Sequence, residues 1–209
     1  MKLLVTGFPK FDNYAENSTQ TLIESMAADA PPELGGGLAE VALEIVPFEN
    51  DDAATQQRTM LDSLHDLLER HAPDICLFCG QAASRPWVEL ETIAINVFKG
   101  AAIDPDGPPA YWATLPDIEG LAKTLRDAGI PARRSHHAGT HLCNHILYST
   151  LHHAHTTGST MRCGFLHLPM TNTQAIAADE NRPFVPLSMT KQALTIAIRH
   201  IVEHVTAEG

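Results

Sequence analysis

Short apolar runs alternate with amphipathic stretches from one end of this chain to the other, and that alternation limits the fold more than any single residue does. Strand-like segments are read at residues 2–6, 38–46, 74–79, 89–96, 132–135 and 163–168, and helix-like ones at 18–28, 51–71, 117–128, 142–155 and 188–204. In the second helix Met60, Leu61, Leu64, Leu67 and Leu68 share a face, and in the last Ala193, Ile196, Ala197, Ile201 and His204 do the same. This order predicts an α/β fold, a three-layer αβα sandwich around a mostly parallel, twisted central sheet, with a site at the carboxyl ends of the strands. At 209 residues the chain reads as a single α/β domain, 1–209, able to bury a full core without disulfides or metal. One segment breaks the pattern. Residues 101–116 carry Pro105, Pro108, Pro109 and Pro116 around Tyr111 and Trp112, too proline-rich for a helix or a central strand, and read as a lid, an oligomer contact or an exposed loop.

The formal net charge of −11, with no basic run, argues against binding nucleic acid or an anionic membrane, because phosphate contacts need clustered Lys and Arg. The first apolar run stops at Gly7, too short for a signal peptide or a membrane span, and reads as a first strand of a cytoplasmic protein. Cys76, Cys79, Cys143 and Cys163 are then expected as free thiols in a reducing compartment. Cys76 and Cys79 form a C-x-x-C within a strand-like run, where side chains alternate between faces. Residues three apart point to opposite sides, so neither a redox nor a zinc role is expected of them.

Chemistry concentrates at Cys143, in Ala138-Gly139-Thr140-His141-Leu142-Cys143-Asn144, where a glycine-containing turn runs into a helix. A thiol there faces the positive end of the macrodipole and unpaired backbone N–H groups, which favours the nucleophilic thiolate. His167, in Cys163-Gly164-Phe165-Leu166-His167-Leu168-Pro169, sits at the end of a buried strand-like run and would be held rigidly as a general base. Glu91, in Trp87-Val88-Glu89-Leu90-Glu91-Thr92-Ile93-Ala94-Ile95-Asn96, could orient that imidazole as the third member of a triad.

Together these segments resemble pyroglutamyl peptidase I, the pyrrolidone-carboxylate peptidases, a family of cysteine exopeptidases. Gly80-Gln81-Ala82 with Val88, Glu91 and Ile93-Ala94-Ile95-Asn96 is similar to the family's glutamate signature. Ala138-Gly139 with Leu142-Cys143-Asn144 and Tyr148 is similar to its cysteine signature, and Gly164 to Pro169 to its histidine strand. Val5-Thr6-Gly7-Phe8, with Phe11 and Asn17, resembles its opening strand and substrate loop. The resemblance implies Cys143 as nucleophile, His167 as base and later acid, and Glu91 as orienting carboxylate. It also implies hydrolysis of the bond after an N-terminal pyroglutamate, in peptides, through a thioacyl-enzyme, with no cofactor. A small uncharged lactam calls for an apolar, aromatic pocket with a few polar contacts. By similarity Phe8 and Phe11 are its walls, Asn17 and Gln81 its polar contacts, and Leu142 a further lining residue. A homo-oligomer, with a tetramer as the candidate assembly, is implied by the resemblance alone.

The chain departs from the family pattern at several positions. Thr92 stands where a basic residue is usual and Glu89 where serine or threonine is usual; His137 and His141 replace the usual serine and aromatic residue ahead of the cysteine. Residues 97–103 offer only Lys99 where an oxyanion-binding arginine is typical, so stabilisation of the oxyanion is expected to lean on backbone N–H groups at Cys143. These departures keep open a degenerate member that binds pyroglutamyl or other peptides without cutting them. Seven of the twelve histidines fall between 136 and 155, with His137, His141 and His145 four apart, but Gly139 is expected to keep His137 outside the helix and no metal site is expected there.

Overall fold

A computed structural model describes residues 1–11, 14–29, 38–49, 51–178 and 181–208. The apolar run at the start forms strand β1 (Lys2–Gly7), followed by helix α1 (Ser18–Ala28), β2 (Glu40–Ile45), α2 (Ala53–His71), β3 (Ile75–Gln81) and β4 (Val88–Glu91). A short ribbon of β5 (Ile93–Ile95) and β6 (Ala110–Trp112) comes next. The chain then continues through α3 (Ile118–Asp127), β7 (Ala132–Ser135), α4 (Leu142–Thr157), β8 (Arg162–Leu168), α5 (Asn172–Ala178) and α6 (Leu187–Glu208). The main sheet has the order β2-β1-β3-β8-β4-β7. Neighbours are parallel except at the join of β4 to β8, so the sheet is mostly parallel, as expected from the alternation of elements.

Strand periodicity sorts the core into two faces. Leu3 and Val5 of β1, Ile75, Leu77 and Cys79 of β3, and Leu166 and Leu168 of β8 pack with the apolar stripes of α1, α3 and α6. Leu4, Cys76 and Phe78, and Cys163 and Phe165, point the other way into the stripes of α2 and α4. Cys76 and Cys79 therefore lie on opposite faces, and the cysteines are free thiols. The same period places His167 on the face covered by α4, the helix that carries Cys143.

The segment 89–96 is not one strand. It breaks at Thr92, whose N–H donates to Ser135 O at 2.9 Å and whose carbonyl accepts from Ala113 N at 2.9 Å. The Thr92 hydroxyl also reaches Ser135 O at 3.0 Å. These bonds tie Thr92 to the end of β7 and to the chain after β6 at once, so beyond it the backbone leaves the main sheet and pairs with residues 110–112. Within the proline-rich segment 101–116, β6 is a three-residue edge strand, which the prolines around it tolerate. The loop is strapped down rather than free: Asn96 donates to Asp104 O at 2.6 Å and accepts from Asp104 N at 2.9 Å, and the Tyr148 hydroxyl of α4 donates to Pro108 O at 2.8 Å. The seven-residue helix α5 carried no apolar repeat long enough to be read from sequence.

One glycine is required by this packing. Gly80 pairs with His167 across β3 and β8, and a Cβ there would come within 2.6 Å of the Phe165 ring and 2.8 Å of Cys143 Sγ. Gly80→Ala should therefore lower the urea-unfolding free energy by about 1–3 kcal/mol, the usual cost of overpacking a core. A variant as stable as the parent would show that the thiol and the ring are not pressed against this strand.

Candidate active site

Three strands and one helix start meet at a cleft of about 360 Å³, lined by Phe8, Phe11, Asn17, Gln81, Arg85, Lys99, Leu142, Cys143 and His167, among others. Cys143 is the second residue of α4. The cap position, His141, has extended backbone and makes no side-chain cap, which leaves the first-turn N–H groups of the helix open to a ligand. Asn144 fixes this helix start. Fully buried, it accepts from Ile95 N at 2.9 Å and donates to Ile95 O at 2.8 Å and Val97 O at 2.9 Å, clamping α4 to the β5 ribbon.

His167 is buried near the end of β8, with Nδ1 donating to Glu91 Oε1 at 2.6 Å and the Cys143 thiol as its other partner. Burial alone would disfavour a charged ring. The negative charge and hydrogen bond of Cys143, and then those of Glu91, outweigh it and raise His167 from 6.5 to about 9. Glu91 shows the mirror effect: burial pushes its pKa up, but the bond and charge of His167, the Ser135 hydroxyl and Arg85 together hold it below the usual range. The ring is thus held in its charged form, with the Cys143 sulfur on one side and an ionised carboxylate behind it.

Glu89 lies directly across the β4–β8 join from His167, yet Glu91 makes the bond to the ring. Glu89 is taken up elsewhere: Arg133 Nε donates to its Oε1 at 2.7 Å, and Arg85 Nη1 pairs with its Oε2. Arg85 Nη1 also donates to Glu91 Oε1 at 2.8 Å, and its Nη2 donates to His137 O at 2.9 Å. Arg85 therefore ties both carboxylates to the loop that leads into Cys143. The sequence reading did not single it out; its signal was the arginine lying four residues before Glu89 and six before Glu91.

The other candidates are also at the cleft, in different states. Phe8 is part of the core, 3% exposed and edge-on to Phe48, whereas Phe11 is half-buried and edge-on to Tyr14. The Asn17 side chain is committed to the start of α1, accepting from Thr19 N at 2.9 Å and donating to Pro9 O at 3.1 Å. Gln81 Oε1 accepts from Ser18 N at 2.7 Å and Gln174 Nε2 at 2.8 Å, while its own Nε2 has no protein partner. Thr92, in the place of a usual basic residue, holds the approach loop through its hydroxyl, 2.5 Å from His136 Nδ1. His137, His141 and His145 are dispersed. His137 Nδ1 accepts from Gly139 N at 2.9 Å, His141 faces the cleft, and His145 is buried against Phe98 with burial lowering its pKa to about 4.

Comparison with known proteins agrees with this geometry. The sequence profile of the pyroglutamyl peptidase family matches residues 1–204. The pyrrolidone-carboxylate peptidase of Thermococcus kodakarensis is 33% identical over the full length of both chains, and that of Bacillus subtilis is 32% identical over 94% of this chain and 90% of its own. Among solved structures, the pyrrolidone carboxyl peptidase of Thermococcus litoralis has a TM-score of 0.86 at 28% identity, covering 100% of this chain and 96% of that one. A mutant pyrrolidone carboxyl peptidase from Pyrococcus furiosus has a TM-score of 0.85 at 30% identity, covering 98% and 100%. With its fold and nearly its whole length shared with these proteins, this chain belongs to the pyroglutamyl peptidase family.

Proposed function

We propose that this protein is a cysteine peptidase that removes N-terminal pyroglutamate from peptides, with Cys143, His167 and Glu91 as its catalytic residues. The observation that carries the reading is the chain Glu91–His167–Cys143, whose last two members line the cleft, with the 2.6 Å bond from His167 Nδ1 fixing which ring nitrogen faces the thiol. The Cys143 thiolate attacks the carbonyl carbon joining pyroglutamate to the next residue, and the oxyanion is met by the N–H groups at the start of α4. His167 gives its proton to the departing amine, leaving a thioester. The ring, now neutral, takes a proton from water, whose oxygen displaces the thiolate and frees pyroglutamate.

The lactam ring would lie against Phe11 and the edge of Phe8, with Gln81 as a polar residue of the same lining. Leu142 lines the same cleft, and Asn17 shapes it from behind as the cap of α1. A free ammonium terminus would lose its hydration there without a carboxylate left to meet it, because Glu89 and Glu91 are already paired. The reading of a non-cutting binder drew on the substitutions around Glu91 and the missing arginine after the glutamate strand; the joined Glu91, His167 and Cys143 weigh against it. A cytoplasmic homo-oligomer of the whole domain, 1–209, completes the proposal on the strength of the resemblance. Among the described residues, no helix is long and apolar enough to cross a membrane.

Cys143→Ser should fold normally and lose at least ~10³-fold in turnover of a chromogenic pyroglutamyl amide. Iodoacetamide near neutral pH should label Cys143 alone, since Cys76, Cys79 and Cys163 are fully buried and burial pushes Cys79 up to about 12. Comparable labelling of the buried thiols would sink the assignment.

Glu91→Gln should cut kcat by about 10²–10⁴ with KM little changed, whereas Glu89→Gln should do far less. The opposite ranking would move the orienting acid to Glu89. Phe11→Ala should raise KM with little change in Tm, whereas Phe8→Ala, which empties a core position, should cost about 3–5 kcal/mol of stability.

His167 must carry a proton to release the amine, so kcat/KM should hold up to about pH 9 and fall as the pH rises through that value. Because the folded pKa lies above the unfolded 6.5, the stabilisation from protonated His167 is complete below about 6.5 and lost as the pH passes about 9. Glu91→Gln should shift the alkaline limb to lower pH; an unmoved limb would mean another group sets it.

A further inference from the structure

We propose that Asp117, His200 and His204 form a binding site for a divalent transition-metal cation, zinc by its donor set, which cross-links helix α6 to the start of α3. The site lies outside the histidine-rich stretch at 136–155. His200 and His204 are four apart on α6, so their rings lie on one face, stacked with centroids 4.1 Å apart. The Nε2 atom of each is 3.4 Å from Asp117 Oδ2, and one ligand atom from each of the three residues lies within 4.8 Å of the others. Charge-assisted hydrogen bonds close to about 2.7–2.9 Å. A separation of 3.4 Å is long for that, but it matches the edge of a tetrahedron with metal–ligand distances of about 2.0–2.1 Å.

The surroundings orient the donors. His204 Nδ1 is 2.8 Å from His200 O; a carbonyl only accepts, so Nδ1 carries the hydrogen and the Nε2 lone pair faces the cluster. Asp117 Oδ1 accepts from Gly120 N at 3.0 Å, which turns Oδ2 toward the two rings. Gly120 makes room for it, since a Cβ there would sit 1.8 Å from Oδ2. Asp117 itself is held at φ +42°, in the left-handed region that an aspartate enters at some cost. His200 Nε2 is also 3.1 Å from Asp117 O, so metal uptake moves the ring proton to Nδ1 and exchanges that hydrogen bond for a metal bond. The Asp117 and His204 side chains are 44% and 40% exposed, leaving a way in for the ion and a fourth position for water.

This place is remote from the cleft. Thr114, three residues before Asp117, hydrogen-bonds Cys163 near the start of β8, whereas His167 lies near the other end of that strand, and α3 and α6 cover the face opposite α4. Occupancy should therefore stabilise the fold without touching the catalytic residues.

The test uses tag-free Cys143→Ser protein, which removes the active-site thiolate as a rival ligand, titrated with zinc chloride by calorimetry and followed by thermal unfolding. One saturable site is expected, with Tm rising as zinc is added. In the same background His204→Ala and Asp117→Asn should weaken binding by at least ~10-fold and abolish the zinc-dependent rise in Tm, with metal-free circular dichroism unchanged. Cobalt in place of zinc should give the visible bands of a tetrahedral site, lost in the same variants. With Cys143 intact, His204→Ala should hydrolyse substrate like the parent. Undiminished zinc binding and Tm shift in both variants, or no saturable binding by the parent, would overturn the proposal.

Discussion

The antiparallel join of β4 to β8 is the constraint on which the site depends. Every other pairing in the main sheet is parallel, and a wholly parallel arrangement would deliver loop residues to the ends of the strands. At this one join two strands of opposite direction lie side by side, so Glu89 sits beside His167 near the end of β8 and Glu91, the last residue of β4, sits beside Phe165. Glu91 is opposite Phe165, one step along the same face from His167, and reaches the ring diagonally. The rigidity of two buried strands, rather than a loop, sets the 2.6 Å contact.

That join also creates an electrostatic problem. Glu89 and Glu91 emerge on the same face, 2% and 1% exposed, and two unpaired carboxylates so placed would each cost several kcal/mol. Arg85 answers both at once, Arg133 completes Glu89, and the imidazolium completes Glu91. The third contact of Arg85, to His137 O, extends the network to the loop before Cys143. The charge that holds the acid ionised also steadies the backbone that leads into Cys143. Removing one member of such a network leaves the others buried and uncompensated, so the group is expected to respond as a unit rather than additively.

The departures from the family pattern make sense in this setting. Glu89, where a small hydroxyl residue is usual, comes with Arg133 on the neighbouring strand β7, and the two are paired in register. Thr92, where a basic residue is usual, serves as the hinge between main sheet and ribbon and as an anchor for His136. The proline-rich segment after it is bound to α4 through Pro108 and Tyr111, the latter with its hydroxyl 2.8 Å from His152 Nδ1. Several histidines of the 136–155 stretch are thereby engaged in packing and hydrogen bonding.

Sequence alone determined what depends on local periodicity and residue chemistry. The order of the long elements, the two-faced character of β3 with Cys76 and Cys79 on opposite sides, and the candidacy of Cys143, His167 and Glu91 followed from spacing, from a thiol at a helix start and from the family resemblance. Tertiary structure decided what depends on which strands become neighbours. The break at Thr92 arises from backbone partners on residues 113 and 135, far away in sequence, and no local propensity encodes it. Arg85 gained its place only when β4 folded beside β8. Asn17 and Phe8, read as substrate contacts, line the cleft and at the same time cap a helix and fill the core. The choice of Glu91 over Glu89 was settled by register: both acids point the same way on one strand, and only the lateral position of His167 on its neighbour distinguishes them.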